Sequence, residues 1–144
     1  MDVIVFKNDQ GSLSVLSTLL DIVDAVKIHN LTDYIIVDDS LLPIEPIESW
    51  VLTNGEIKVN PHKLIEFNRL NLQQLTKRQF SLYLYDIGKY EQVMDAINAN
   101  PSFKIEFETV SIIERNSPTV TAMGQILEWD DLTIDEKWNE ALKL

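Results

Sequence analysis

Residues 50–61 read Trp50-Val51-Leu52-Thr53-Asn54-Gly55-Glu56-Ile57-Lys58-Val59-Asn60-Pro61, and two signals inside them decide the fold. Asn54-Gly55 favours the primed turn that joins two twisted antiparallel strands, because both residues tolerate positive φ. The flanking runs supply the β-branched and apolar residues for those strands. Asn60-Pro61 then breaks the extended pattern: Asn60 suits a helix cap, and Pro61 suits the first helical position, where its missing N–H costs no intrahelical bond. The expected class is therefore α+β. A small antiparallel, hairpin-rich sheet occupies residues 1–60, and a compact helical subdomain occupies residues 61–144.

Upstream of that point, Val3-Ile4-Val5-Phe6 predicts a strand, Asn8-Asp9-Gln10-Gly11 a turn, and Leu13, Val15 and Leu16 the second arm of a hairpin. Thr18 is expected to cap a short helix with Asp21 in its first turn and Ile22, Val23, Val26 and Ile28 in its body. Tyr34 to Val37 reads as a further strand. Pro43 and Pro46 limit Asp38 to Pro46 to a connection with at most a short helical turn.

Downstream, a helix is expected from Pro61 to about Gln74. Thr76 and Gln79 have the spacing of a capping box. Behind them Phe80, Leu84 and Ile87 share one helix face, which Leu82, Tyr83 and Tyr85 widen, and Gly88 ends it. Tyr90, Val93, Met94 and Ile97 mark the next helix. Phe103, Phe107, Val110 and Ile113 mark a third, with Ile105 and Ile112 at its flanks. Ser117-Pro118 opens another, carrying Val120 and Met123. Thr133 and Glu136 predict a second capping box, ahead of a stripe in which Ile134, Trp138 and Leu142 recur every four residues. These aromatics have a core role, so no stacking platform for nucleic acid is needed to explain them.

Charge narrows the function classes. The 144 residues carry 23 acidic against 12 basic side chains, a net charge of -11. That balance disfavours direct binding to nucleic acid and to anionic membranes, and leaves open a basic protein partner or mimicry of nucleic acid. With no cysteine there is no disulfide, thiol nucleophile or thiolate zinc site. The apolar run from Leu13 to Ile28 is interrupted by Ser14, Ser17, Thr18, Asp21, Asp24 and Lys27, too polar to span a bilayer. The first residues lack a secretory signal, so a cytoplasmic chain is expected.

Few residues point to chemistry. His29 and His62 lack any compact ligand spacing, and the adjacent carboxylates of Asp38-Asp39 would diverge on an extended backbone rather than clamp one ion. Glu128, Asp130, Asp131, Asp135 and Glu136 form the strongest acidic cluster. It lacks the glycine and alternating oxygen ligands of a calcium loop; it reads as favourable charge at a helix N-terminus, or as a docking face for a basic protein. Arg115 is expected to be a structural brace, holding terminal carbonyls or a carboxylate while its stem packs on apolar neighbours. Trp138 is expected to tie the last helix into the core. No Ser-His-Asp order, glycine-rich phosphate loop or zincin motif occurs, so the expectation is no catalytic residue, no metal and no cofactor.

Val3-Ile4-Val5-Phe6, Asp9-Gln10-Gly11, Tyr34-Ile35-Ile36-Val37, Leu42-Pro43 and Ser49-Trp50 occur in an order that resembles small proteins from the tail and tail-fibre regions of tailed bacteriophages and prophages. Leu75-Thr76-Lys77-Arg78-Gln79-Phe80, Ile105-Glu106-Phe107-Glu108, Arg115-Asn116-Ser117-Pro118 and Leu132 to Ala141 resemble the helical region of such proteins. The resemblance spans most of the chain. It implies a virion component, or a chaperone-like factor of tail assembly, that binds a phage tail or tail-fibre protein. It also implies a place in the host cytoplasm during assembly, with the virion tail as a second location. The alternative is an acidic inhibitor of a basic host or defence effector.

Overall fold

Val3, Ile4 and Val5 are at most 2% exposed, and they sit at the centre of the first sheet in the computed structural model, which describes residues 1–144. Their strand, β1 (Asp2–Lys7), lies between β2 (Leu13–Leu16) and β3 (Tyr34–Asp38) and is antiparallel to both. The two outer strands are therefore parallel to each other, and parallel strands need a crossover rather than a hairpin. Helix α1 (Ile22–Ile28) provides it, with Ala25 buried. Its cap differs from the expectation. The Asp21 carboxylate accepts the Val23 N–H at 2.9 Å, while the Thr18 hydroxyl is used one step earlier, accepting the Leu20 N–H at 3.0 Å. A carboxylate next to the first turn satisfies the same amides and complements the helix dipole as well.

Two 3₁₀ turns, Asp39–Leu41 and Ile47–Ser49, occupy the proline-rich connection. The second hairpin then forms as expected, β4 (Trp50–Thr53) pairing with β5 (Glu56–Val59). Asn54 at φ +53° and Gly55 at φ +74° give the primed turn that the twist of the strands requires. Trp50 is buried, and its indole N–H donates to the Glu45 carbonyl at 2.8 Å. Asn60 Oδ1 accepts the Lys63 N–H at 3.1 Å at the start of α2 (Pro61–Leu70). This helix ends at Leu70, short of the expected Gln74, and Leu75-Thr76 form a strand, β6.

The chain divides into two compact units, Met1–Asn68 and Arg69–Leu144, so the division falls inside α2 rather than at residue 60. In the second unit β6 (Leu75–Thr76) pairs antiparallel with β7 (Ile112–Ile113). Ile113 was expected on the third helix. That helix, α5 (Pro101–Thr109), ends earlier, and the two β-branched residues satisfy their backbone groups on β6. Thr76 and Gln79 do form a capping box at the start of α3 (Lys77–Asp86), with reciprocal bonds of 3.1 and 2.9 Å. The remaining helices are α4 (Tyr90–Ala99), α6 (Pro118–Leu127) and α7 (Asp131–Ala141).

Phe80, Leu84, Val93, Ile97, Phe107, Val120, Met123, Ile134 and Trp138 meet in one core. The wider face expected for α3 is only partly real: Tyr83 is buried, but Leu82 and Tyr85 are 37% and 70% exposed. The second capping box does not form. Helix α7 begins at Asp131 and the Asp130 carboxylate accepts the Thr133 N–H at 2.8 Å, which puts Thr133 inside the first turn instead of before it. Helices occupy 51% of residues and strands 19%, an α+β protein. None of the helices is long and apolar enough to cross a membrane.

Candidate functional site

The last turn of α2, the loop between β7 and α6, and the first turns of α7 place two arginines on two aspartates. Arg115 is 5% exposed; its Nε donates to Asp135 Oδ1 at 2.7 Å and one terminal nitrogen reaches both the side chain and the carbonyl of Asp131 at 3.1 Å. Arg69 approaches the same carboxylate from the other side, Nε to Oδ2 at 2.9 Å and Nη2 to Oδ2 at 2.9 Å. A guanidinium fork against a carboxylate is the geometry that makes such pairs strong and directional. Two positive and two negative charges cancel, and every donor named here is used. The cluster is a clamp joining three chain segments.

That geometry sorts the five acids expected to face a partner. Asp135 is turned inward, its side chain 18% exposed between the two arginines. Asp131 remains 67% exposed although it meets Arg115. Asp130 caps α7, and the Thr133 bonds hold its carboxyl below the usual carboxylate range. Glu128 ends α6 in the left-handed conformation, at φ +57°, and Glu136 lies on the exposed side of α7. Trp138 is 3% exposed and its indole N–H donates to the Gln73 carbonyl at 2.8 Å. Arg69 was missed in the sequence; its one visible signal was a cation in a last helical turn.

The remaining titratable candidates are at the surface. His29 and His62 are exposed, and no group of three or more metal-ligating side chains converges anywhere. Asp38 and Asp39 do not diverge as expected: both carboxylates meet the Met1 amino group, at 3.1 and 3.0 Å, because Asp39 opens a 3₁₀ turn instead of continuing the strand. The Ser40 hydroxyl and N–H, and then that amino group, bring the Asp38 carboxyl down to about 2.

A different feature of the first unit was not anticipated. Helix α1 turns Ile22, Ala25 and Val26 inward, yet Val23 and Ile28 are 58% and 63% exposed, and the preceding Leu19 and Leu20 stand in solvent too. Asp21 and Asp24 lie among them. From sequence, Ile22, Val23, Val26 and Ile28 are placed in the helix body with no face assigned, because a seven-residue helix is too short for its periodicity to show two faces.

No protein family matches the chain, and no curated protein or solved structure is significantly similar to it.

Proposed function

We propose that the chain is a non-catalytic protein-binding module of tailed-phage tail assembly. The observation that supports a binding role is α1. A short helix that is apolar on both sides, with one side unpartnered in its own unit, exposes surface that association with a second protein would cover. The interleaved Asp21 and Asp24 favour a partner with basic residues around an apolar centre. The phage setting rests on the ordered sequence resemblance from Val3 to Ala141. Affinity capture with the intact chain from a phage-producing lysate, followed by fractionation of particles, tests the reading. Recovery with tail or tail-fibre proteins, reduced by Val23→Asp, is the expected result. Absence from virions and assembly complexes alike, with normal particles after gene deletion, overturns it.

Charge supports a second reading. The first unit carries eleven carboxylates against four lysines, a net -7. An inhibitor would present those carboxylates where a basic effector binds phosphate. Competition between the chain and nucleic acid for such an effector distinguishes this role from assembly.

A further inference from the structure

A cavity of the first unit, about 600 Å³, is the size of a ligand-binding cleft. Lys7 and Leu13 of the first hairpin border it on one side, Trp50, Val51 and Leu52 of β4 on the other, and Lys63 reaches it from α2. Both borders carry outward-facing backbone groups. The Asn8 N–H donates to the Ser12 carbonyl at 2.8 Å, and the Lys7 N–H turns the other way, to the Asp33 carbonyl at 3.0 Å. Bonded and non-bonded pairs alternate along an antiparallel ladder. Phe6–Ser14 and Ile4–Leu16 are therefore the bonded pairs, and the N–H and C=O of Leu13 and Val15 point away from β1.

The same phase holds in the second hairpin. Its two-residue turn makes Thr53–Glu56 a bonded pair, and the Asn60 N–H donates to the Ser49 carbonyl at 2.8 Å. The N–H and C=O of Leu52 and the C=O of Trp50 therefore face out of the ladder. The Trp50 N–H is already bonded to the Ile47 carbonyl. No further strand pairs with β2 or with β4.

Charge selects the occupant. Lys58 is paired with Glu56 at 3.3 Å, whereas the exposed ammonium groups of Lys7 and Lys63 make no ion pair. Glu48 is the one carboxylate on the border of the groove. An otherwise acidic unit thus directs two of its four lysines to one cavity. The unit's net charge opposes an approaching anion, but at physiological salt that field is screened beyond about 8 Å, while the ammonium groups act at contact.

We propose that this groove binds an extended acidic peptide segment of a partner protein, which adds as a strand along the Leu13 and Leu52 edges and sets carboxylates on Lys7 and Lys63. Main-chain bonds supply affinity in this mode, and alternate side chains supply specificity. The groove does not involve the exposed side chains of α1, so neither surface needs the other.

The probe is a fluorescein-labelled Glu-Val-Glu-Val-Glu peptide, followed by anisotropy with the full chain. Binding should weaken roughly tenfold or more for the glutamine-for-glutamate peptide and for Lys7→Gln with Lys63→Gln. A peptide N-methylated at alternate residues should lose as much, because its edge donors are gone. Amide exchange at Leu13, Val15 and Leu52 should slow on binding, while Ser14 and Val51, already in their ladders, should not change. An unchanged unfolding midpoint checks the lysine variant, and the glutamine peptide reads the same charge effect on the unaltered protein. Undiminished binding of the N-methylated peptide, indifference to both lysines, or no binding at millimolar acidic peptide would overturn the proposal. Full displacement by free glutamate or inorganic phosphate would do so too, assigning the groove to small anions. Loss of α1-dependent capture with peptide binding intact would count against the assembly reading alone.

Discussion

Trp138 carries the clearest consequence at the scale of one residue, because it is 3% exposed and has its indole N–H bonded to the Gln73 carbonyl. Trp138→Ala is expected to cost about 3–5 kcal/mol, and Trp138→Phe less, since the ring retains most of the packing while the hydrogen bond is lost. Denaturant midpoints of the two variants check this; an unchanged midpoint for both would remove Trp138 from the core. Asp38 offers a test in pH. Its carboxyl is lowered from 3.8 to about 2, chiefly by the Ser40 hydroxyl. A depressed folded value means that the contribution is complete above the unfolded value and is lost as pH falls from about 4 through 2. Ser40→Ala should raise the Asp38 midpoint toward 3.8, read by NMR titration of the carboxyl carbon. Trp138 was legible in the sequence because four-residue spacing reports a buried stripe. The bonds of Asp38 were not, since they depend on how an extended segment meets the start of the chain.

At the scale of elements, the Arg69–Asp135–Arg115 clamp joins α2, the β7–α6 loop and α7. Asp135→Ala leaves the 5%-exposed Arg115 guanidinium without its best acceptor, an expected loss of about 3 kcal/mol. Arg115→Lys should not restore it, because one ammonium cannot reproduce contacts to Asp135 and to the Asp131 carbonyl together. Thermal unfolding of the two variants measures both. Sequence reading left Arg115 to terminal carbonyls or a carboxylate and could not single out Asp135, because the pair lies 20 residues apart. Local chemistry was legible where it is self-contained: Asn54-Gly55, Asn60-Pro61 and the Thr76–Gln79 box all formed. It failed where a distant partner decides. Ile112-Ile113 reads equally well as the end of a helix until Leu75-Thr76 arrives beside it. Likewise Thr133 reads as a cap until Asp130, three residues earlier, takes that place.

Across the whole molecule, Leu19 and Ile44 stand fully in solvent. Replacing both with serine should change stability by less than about 0.5 kcal/mol. Under the assembly reading it should also weaken partner capture, so unfolding and capture measured on one preparation separate a binding surface from an idle one. No periodicity argument could reach this, since exposure of a loop leucine is set by everything that fails to cover it. The two-residue pairing of β6 with β7 governs something else, the order of folding. It encloses α3, α4 and α5, so closing it costs loop entropy that the neighbouring pairs α3–α4 and α4–α5 avoid. The bridge should therefore form after the barrier is crossed. Ile113→Val is expected to speed unfolding while leaving the refolding rate nearly unchanged, visible in stopped-flow fluorescence as a shift of one limb of the chevron. With that order of folding, the native lifetime would rest on four residues: Leu75, Thr76, Ile112 and Ile113.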